Sequence, residues 1–164
     1  MATTGRLRFF YYHNGQAFSG DTVGNVYYTR NGSWIKRSLV TNEPFVGAAY
    51  YDDNYYIIGY NGSLYKYKYS NSSSVPTSVN NKPSGKFEAI VSNGSFMAIF
   101  GYIGENPYYW YLRQDGSWKE INVGTSDKFV AAEVINGNIY ALTQKGKIYK
   151  IYSNNEASKH EQIV

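Results

Sequence analysis

The stretch Phe129–Tyr152, FVAAEVINGNIYALTQKGKIYKIY, decides the reading of this chain. It holds three short apolar runs, cut at Asn136-Gly137 and Lys145-Gly146. Each run mixes aromatic, β-branched and small residues, and each cut is a turn signal, so the stretch predicts a three-stranded antiparallel meander. The same text occurs earlier. Phe45, Phe87 and Phe129 stand 42 residues apart, with Ala48, Ala89 and Ala132 close behind. Gly62-Ser63-Leu64-Tyr65-Lys66 returns 84 residues later as Gly146-Lys147-Ile148-Tyr149-Lys150. Asn31-Gly32-Ser33-Trp34 returns at the same offset as Asp115-Gly116-Ser117-Trp118. A fixed period of this length marks a repeat protein.

Working outward, the repeats fall at residues 7–44, 45–86, 87–128 and 129–164, preceded by an N-terminal arm at 1–6. Each has room for four short strands, and Pro76 puts the fourth strand of the second repeat on a sheet edge. No segment carries apolar residues at helical spacing; Ala157–Gln162 is too short and uncapped to count. The fold class expected is all-β, a single four-bladed β-propeller domain over residues 1–164. A β-trefoil uses repeats of similar length but only three of them. An open set of blades that closes a larger ring by homo-oligomerisation is the other alternative, because a terminal blade otherwise exposes a strand edge. Small residues in the first strand of repeats two to four (Gly47-Ala48-Ala49, Ala89, Ala131-Ala132) suit the crowded axis of a propeller, whereas Phe9–Tyr12 hold that place in the first.

Composition bounds the function. Of 164 residues, 18% are aromatic, and 19 are Tyr, which is too apolar and too patterned for disorder. There is no Cys, so neither a disulfide framework nor thiolate chemistry is available. The net charge of +4 comes from scattered bases, read as solvent-facing Lys on strands and not as a nucleic-acid surface. The N-terminus lacks a long apolar run and a small-residue cleavage site, so synthesis in a cytoplasm without a signal peptide and no membrane insertion are expected. Two His and no Cys leave no zinc set, and Asp52-Asp53-Asn54 lacks the spacing of a calcium loop, so neither metal nor cofactor is expected. Acids are few and none falls at repeat-matched positions that would put a pair across the channel, so catalysis is not expected. Asn31, Asn61, Asn71 and Asn93 match a glycosylation pattern but read as turn residues, with Asn-Gly supplying the positive φ angles of a hairpin.

Arg113-Gln114-Asp115-Gly116-Ser117-Trp118 resembles a shortened Asp-box, the turn of sialidase-type and lectin propellers, and Arg30–Trp34 resembles the same turn with Asn31 for Asp. The Gly-x-Leu/Ile-Tyr segments are similar to those of tachylectin-type sugar-binding propellers. These resemblances imply a propeller and a glycan ligand. The chain also resembles small adhesin or fibre-tip domains of bacteriophage virions, and its Asn/Lys/Tyr/Ile-rich usage fits an AT-rich genome. The expected setting is a virion or another surface-exposed particle.

The third repeat takes 25 residues from Asn93 to Trp118 where the first takes 20 from Asn14 to Trp34, and the extra length reads as a loop at Gly101–Pro107 followed by Tyr108-Tyr109-Trp110-Tyr111. Alternation puts Tyr108 and Trp110 on one strand face and Tyr109 and Tyr111 on the other, one pair in the core and one exposed. The expected ligand-binding residues are therefore Tyr102, Glu105, Asn106, Tyr109, Trp110 and Tyr111, which suit a glycan, another cell-surface polymer or a protein surface. Trp34 and Trp118 read as turn-packing residues. The rival function is a structural subunit whose faces dock other structural proteins without a small ligand.

Overall fold

A computed structural model describes residues 5–39, 41–71, 73–154 and 157–164, the side chains of 153, 154, 157 and 158 excepted. Residues 1–4 of the expected N-terminal arm lie outside them. Among the described residues, sixteen strands form four separate four-stranded sheets, each a meander in chain order. The first sheet holds β1 (Leu7–His13), β2 (Gln16–Asp21), β3 (Asn25–Arg30) and β4 (Ser33–Ser38); the second holds β5 (Phe45–Tyr51), β6 (Asn54–Gly59), β7 (Leu64–Lys68) and β8 (Thr77–Ser78). The third holds β9 (Lys86–Ser92), β10 (Met97–Ile103), β11 (Asn106–Leu112) and β12 (Trp118–Asn122); the fourth holds β13 (Phe129–Ile135), β14 (Asn138–Thr143), β15 (Ile148–Asn154) and β16 (Ala157–Gln162). Four sheets exclude the three-repeat trefoil. The short β8 follows Pro76 and pairs only with β7 at the sheet edge.

The chain divides into two compact units, Met1–Val79 and Asn80–Val164, each with two sheets. In the first, Phe18, Val26, Tyr28, Phe45, Tyr55, Ile57 and Tyr67 build one core. Hydrogen bonds tie its sheets together, among them the Tyr50 N–H donating to the Tyr11 hydroxyl at 2.9 Å and the Tyr55 hydroxyl donating to the His13 carbonyl at 2.7 Å. Along β1, Phe9 and Tyr11 pack on this core while Phe10 and Tyr12 are 68% and 63% exposed. In the second unit the core is built by Phe96, Phe100, Tyr109, Tyr111, Phe129, Ile139, Tyr149 and Ile151.

The 42-residue period has a geometric cause. Phe45, Phe87 and Phe129 are fully buried and each pairs across its sheet with a residue 14 positions later, Gly59, Gly101 and Thr143. Immediately after each pair the ladder register shifts, leaving Val46, Glu88 and Val130 as the extra residue of a β-bulge; Leu7–Asp21 and Arg8 do the same in the first sheet. A bulge at one fixed place per sheet adds twist there. Each Phe then meets an aromatic ring of its own third strand edge-on: Tyr65 at 5.8 Å, Trp110 at 5.4 Å and Tyr149 at 5.7 Å between centroids.

Local turn chemistry follows two patterns. Asn14-Gly15, Asn31-Gly32, Asp52-Asp53 and Asn136-Gly137 all have positive φ at both residues, the tight hairpin in which Asn, Asp and Gly are least penalised. Asn61-Gly62 and Asn93-Gly94, expected to turn the same way, do not. Gly62 sits in a wider turn in which the Gly59 N–H bonds the Ser63 carbonyl and the Gly62 N–H bonds the Gly59 carbonyl. Residues 143–147 and 113–117 repeat that pattern. Asn93 instead accepts the Ser95 and Phe96 amides on its side-chain oxygen.

Tyrosine burial sets an alkaline limit on stability. Burial pushes the phenols of Tyr55, Tyr11, Tyr51 and Tyr65 above their usual value, and that of Tyr56 to about 12. A raised phenol pKa favours the folded state while the phenol stays neutral. The contribution is complete below the unfolded value of 10.0 and is lost as pH rises towards the folded one. Urea unfolding is therefore expected to give a constant stability up to about pH 10, then a fall of roughly 1.4 kcal/mol per pH unit for each such tyrosine. A flat profile through pH 12 contradicts this assignment.

Candidate functional site

A cleft of about 380 Å³ opens in the first unit. Four strands and two hairpin turns bring its lining together: Tyr12 from β1, Gln16 and Ala17 from β2, Thr29 and Arg30 from β3, and Tyr67 from β7, with Gly15, Asn31 and Gly32 from the turns and Tyr69 just beyond β7. The tight Asn14-Gly15 and Asn31-Gly32 turns keep the rim low, since neither Gly carries a side chain into the opening.

Three tyrosines form the aromatic part. Tyr12 is exposed and Tyr67 buried, while Tyr69 is 41% exposed. The Tyr69 ring is fixed edge-on against Tyr50 at 6.0 Å and Tyr55 at 5.9 Å, so it presents a held surface. The polar part is the Gln16 amide, Asn31 and the Arg30 guanidinium. Gln16 donates to the Thr29 carbonyl, and the Thr29 hydroxyl accepts the Ala17 N–H at 2.9 Å, which pins the floor where β2 meets β3.

Arg30 is half-buried, and its neighbours are neutral. One guanidinium nitrogen donates to the Ser74 carbonyl, the Tyr28 ring lies 5.7 Å from the guanidinium carbon, and the Tyr67 hydroxyl beside it raises the Arg30 pKa. The Arg30 Nε and the Tyr28 hydroxyl are buried without a hydrogen-bond partner. None of the lining residues is an Asp or Glu.

The residues expected from the third repeat are arranged differently. Tyr109, Trp110 and Tyr111 are all buried, at 0%, 1% and 2% exposure. The Trp110 indole N–H donates to Glu120 at 2.8 Å, and its ring stacks on Tyr108 at 5.9 Å. Tyr109 stacks on Phe100 at 5.6 Å and approaches the His160 ring. The exposed aromatic pair that alternation predicts is absent because β11 lies inside its sheet and is covered on both faces. Nor is there a long loop at 101–107: β10 and β11 meet in a two-residue turn, Ile103 pairing with Asn106. The extra length lies in two longer strands and in the turns 93–96 and 113–117. Tyr102, Glu105 and Asn106 do sit together at this hairpin tip. Lys128 pairs with Glu105 at 3.1 Å and lies 4.7 Å above the Tyr102 ring.

At the Asp-box-like turn, Asp115 accepts the Ser117 hydroxyl at 2.6 Å and the Ser117 N–H at 2.8 Å. Those bonds hold its pKa below the usual carboxylate range. The Arg30–Trp34 segment is a plain two-residue hairpin instead, and its Trp34 is 54% exposed rather than packed on the turn.

Sequence reading missed two buried acids with a structural task. Glu43 and Asp127, each two residues before a periodic Phe and 84 apart, reach across to hold the turn after the second strand. Glu43 accepts the Asn61 N–H at 2.5 Å and the Ser63 hydroxyl. Asp127 accepts the Lys145 N–H at 3.1 Å and the Lys128 N–H at 2.8 Å. Burial opposes the Asp127 charge, but the Thr143 hydroxyl and the two amides outweigh it and lower the pKa. In the first sheet Asp21 does the same from within the turn: burial opposes its charge, while Asn25, Val23 and Tyr27 outweigh it. The signal was an acid at a fixed offset from the repeating Phe. Among the described residues no group of three His, Cys, Asp or Glu could hold a metal, and no helix is long and apolar enough to cross a membrane.

No family model matches the chain, and no curated protein matches it. Solved structures do. The computationally designed Ika4 protein matches at TM-score 0.66 and 10% identity, over 99% of this chain and 94% of that one. The β-propeller domain of Myceliophteria thermophila Cps50 (Swd1) matches at TM-score 0.68 and 9% identity, over 98% and 56%. The WD40 β-propeller domain of Doa1 matches at TM-score 0.63 and 13% identity, over 92% and 51%. The chain thus spans nearly all of the designed protein and about half the length of the other two. With four four-stranded meanders, these likenesses define the class: the chain is an all-β, four-bladed β-propeller.

Proposed function

We propose that this propeller is a non-enzymatic binding module that recognises a glycan or another cell-surface polymer, as a component of a virion or another surface-exposed particle. The observation that carries the reading is the first-unit cleft, where held tyrosine rings stand beside amide and guanidinium donors. Rings offer an apolar face to the C–H face of a sugar, and the polar groups fix its hydroxyls. A propeller fold is a general platform for protein or ligand binding and does not by itself select the ligand.

A glycan array probed with the purified chain tests the reading. Binding is expected, and Tyr12→Ala with Tyr69→Ala is expected to weaken it roughly tenfold or more, at about 1 kcal/mol for each lost stacking ring. An array without hits, or hits that the double variant leaves unchanged, removes the cleft from the account. The second reading, a subunit that docks other structural proteins, is favoured by the exposed Leu7, Phe10 and Tyr12 row on β1.

A further inference from the structure

Arg30 is a half-buried cation whose described contacts are all neutral: a carbonyl, a hydroxyl and a ring face. None of these contacts supplies an opposite charge and the Arg30 Nε has no hydrogen-bond partner, so an anion arriving from outside gains a charge-assisted contact that no described group already fills. The cleft beside it contains no carboxylate to compete for the guanidinium or to repel such an anion. A guanidinium has five donors in a planar fork, of which the Ser74 carbonyl and the Tyr67 hydroxyl engage two, and the Nε donor has no partner. A carboxylate is the ligand group that matches the fork in plane and spacing. Close by, the Tyr69 ring is held edge-on by Tyr50 and Tyr55, and Tyr12 is exposed.

We propose that the cleft takes an acidic sugar residue, with its carboxylate on the Arg30 guanidinium and its apolar face on Tyr12 or Tyr69. This rests on the glycan reading above and narrows it to uronate- or sialate-type units. The Gln16 amide and the Asn31-Gly32 turn are then left for the sugar hydroxyls. The cavity volume, about 380 Å³, holds one or two sugar rings, so the site reads a terminal or single acidic unit rather than a long stretch of chain.

The test is an array of uronate- and sialate-bearing glycans printed beside their carboxyl-reduced counterparts, probed with the wild-type chain, Arg30→Gln and Arg30→Lys. Melting curves of each protein separate loss of binding from loss of fold. The wild type is expected to prefer the acidic members by roughly tenfold or more, the usual size of a charge-assisted contact. Arg30→Gln is expected to erase that preference, and Arg30→Lys to keep part of it, since the charge stays and the fork goes. The preference should shrink as salt is raised. Equal binding of acidic and reduced members by the wild type overturns the acidic-sugar proposal and leaves the glycan reading standing. A preference that survives Arg30→Gln also overturns it. Binding to neither set overturns both. The wild-type comparison decides even where Arg30→Gln does not fold.

Discussion

Replacing Trp110 with alanine is expected to lower the stability of the protein by about 4 kcal/mol and to leave ligand affinity of the folded fraction unchanged. Trp110 is almost fully buried, lies edge-on to Phe87 and donates its indole N–H to Glu120. The substitution empties a space the size of an indole and removes the contact that anchors one periodic Phe. It also leaves the Glu120 oxygen without its donor. Chemical denaturation followed by circular dichroism measures the stability, and binding is read at a temperature where the variant is folded. A stability change below about 1 kcal/mol, paired with lost binding, shows instead that Trp110 faces a ligand.

Gly101→Ala is the second large effect, expected at about 3 kcal/mol. Gly101 pairs with Phe87 at the bulge, and a Cβ there would fall on the Lys86 carbonyl oxygen, 2.9 Å from the Lys86 carbonyl carbon and 3.2 Å from the Phe87 Cα. These are backbone atoms, so relief requires the bulge itself to move. Gly59 stands at the matching place in the second sheet, but there an added Cβ meets the Glu43 side chain, which can swing away at the cost of the turn it holds. A control sits three residues on. Gly104 has open space around its Cβ position and a φ of 60°, so Gly104→Ala is expected to cost only about 1 kcal/mol. Equal effects at Gly101 and Gly104 contradict the close approach.

The architecture was legible in the sequence because one physical device repeats. A bulge recurs in every sheet, and in the second to fourth a Phe stands at it with a Gly or Thr opposite 14 residues later, so period and strand count can be read from the text. Glu43 and Asp127 were equally legible at an offset of 84 but stand two residues before the Phe, outside the apolar runs that draw attention. The Tyr108–Tyr111 run misled for a different reason. Alternation predicts one exposed face, yet the inner strand β11 buries Trp110 on one face and Tyr109 and Tyr111 on the other, with Tyr108 partly exposed. The longer span from Asn93 to Trp118 was real, but length alone does not say whether residues enter a loop or lengthen a hairpin; Ile103–Asn106 pairing shows the latter. The cleft had no linear signature. Tyr12, Gln16, Arg30 and Tyr69 come from separate segments of two sheets, and each reads singly as an ordinary strand or turn residue.

Ligand binding in the first-unit cleft would shield the backbone of the segments that line it. Amide hydrogen exchange, with and without an array-positive glycan at saturating concentration, tests it most directly. Slowed exchange confined to residues 12–17, 29–32 and 67–69, the segments that line the cleft, is expected. Protection confined to the hairpin tip at 102–106, with the cleft segments unchanged, contradicts it.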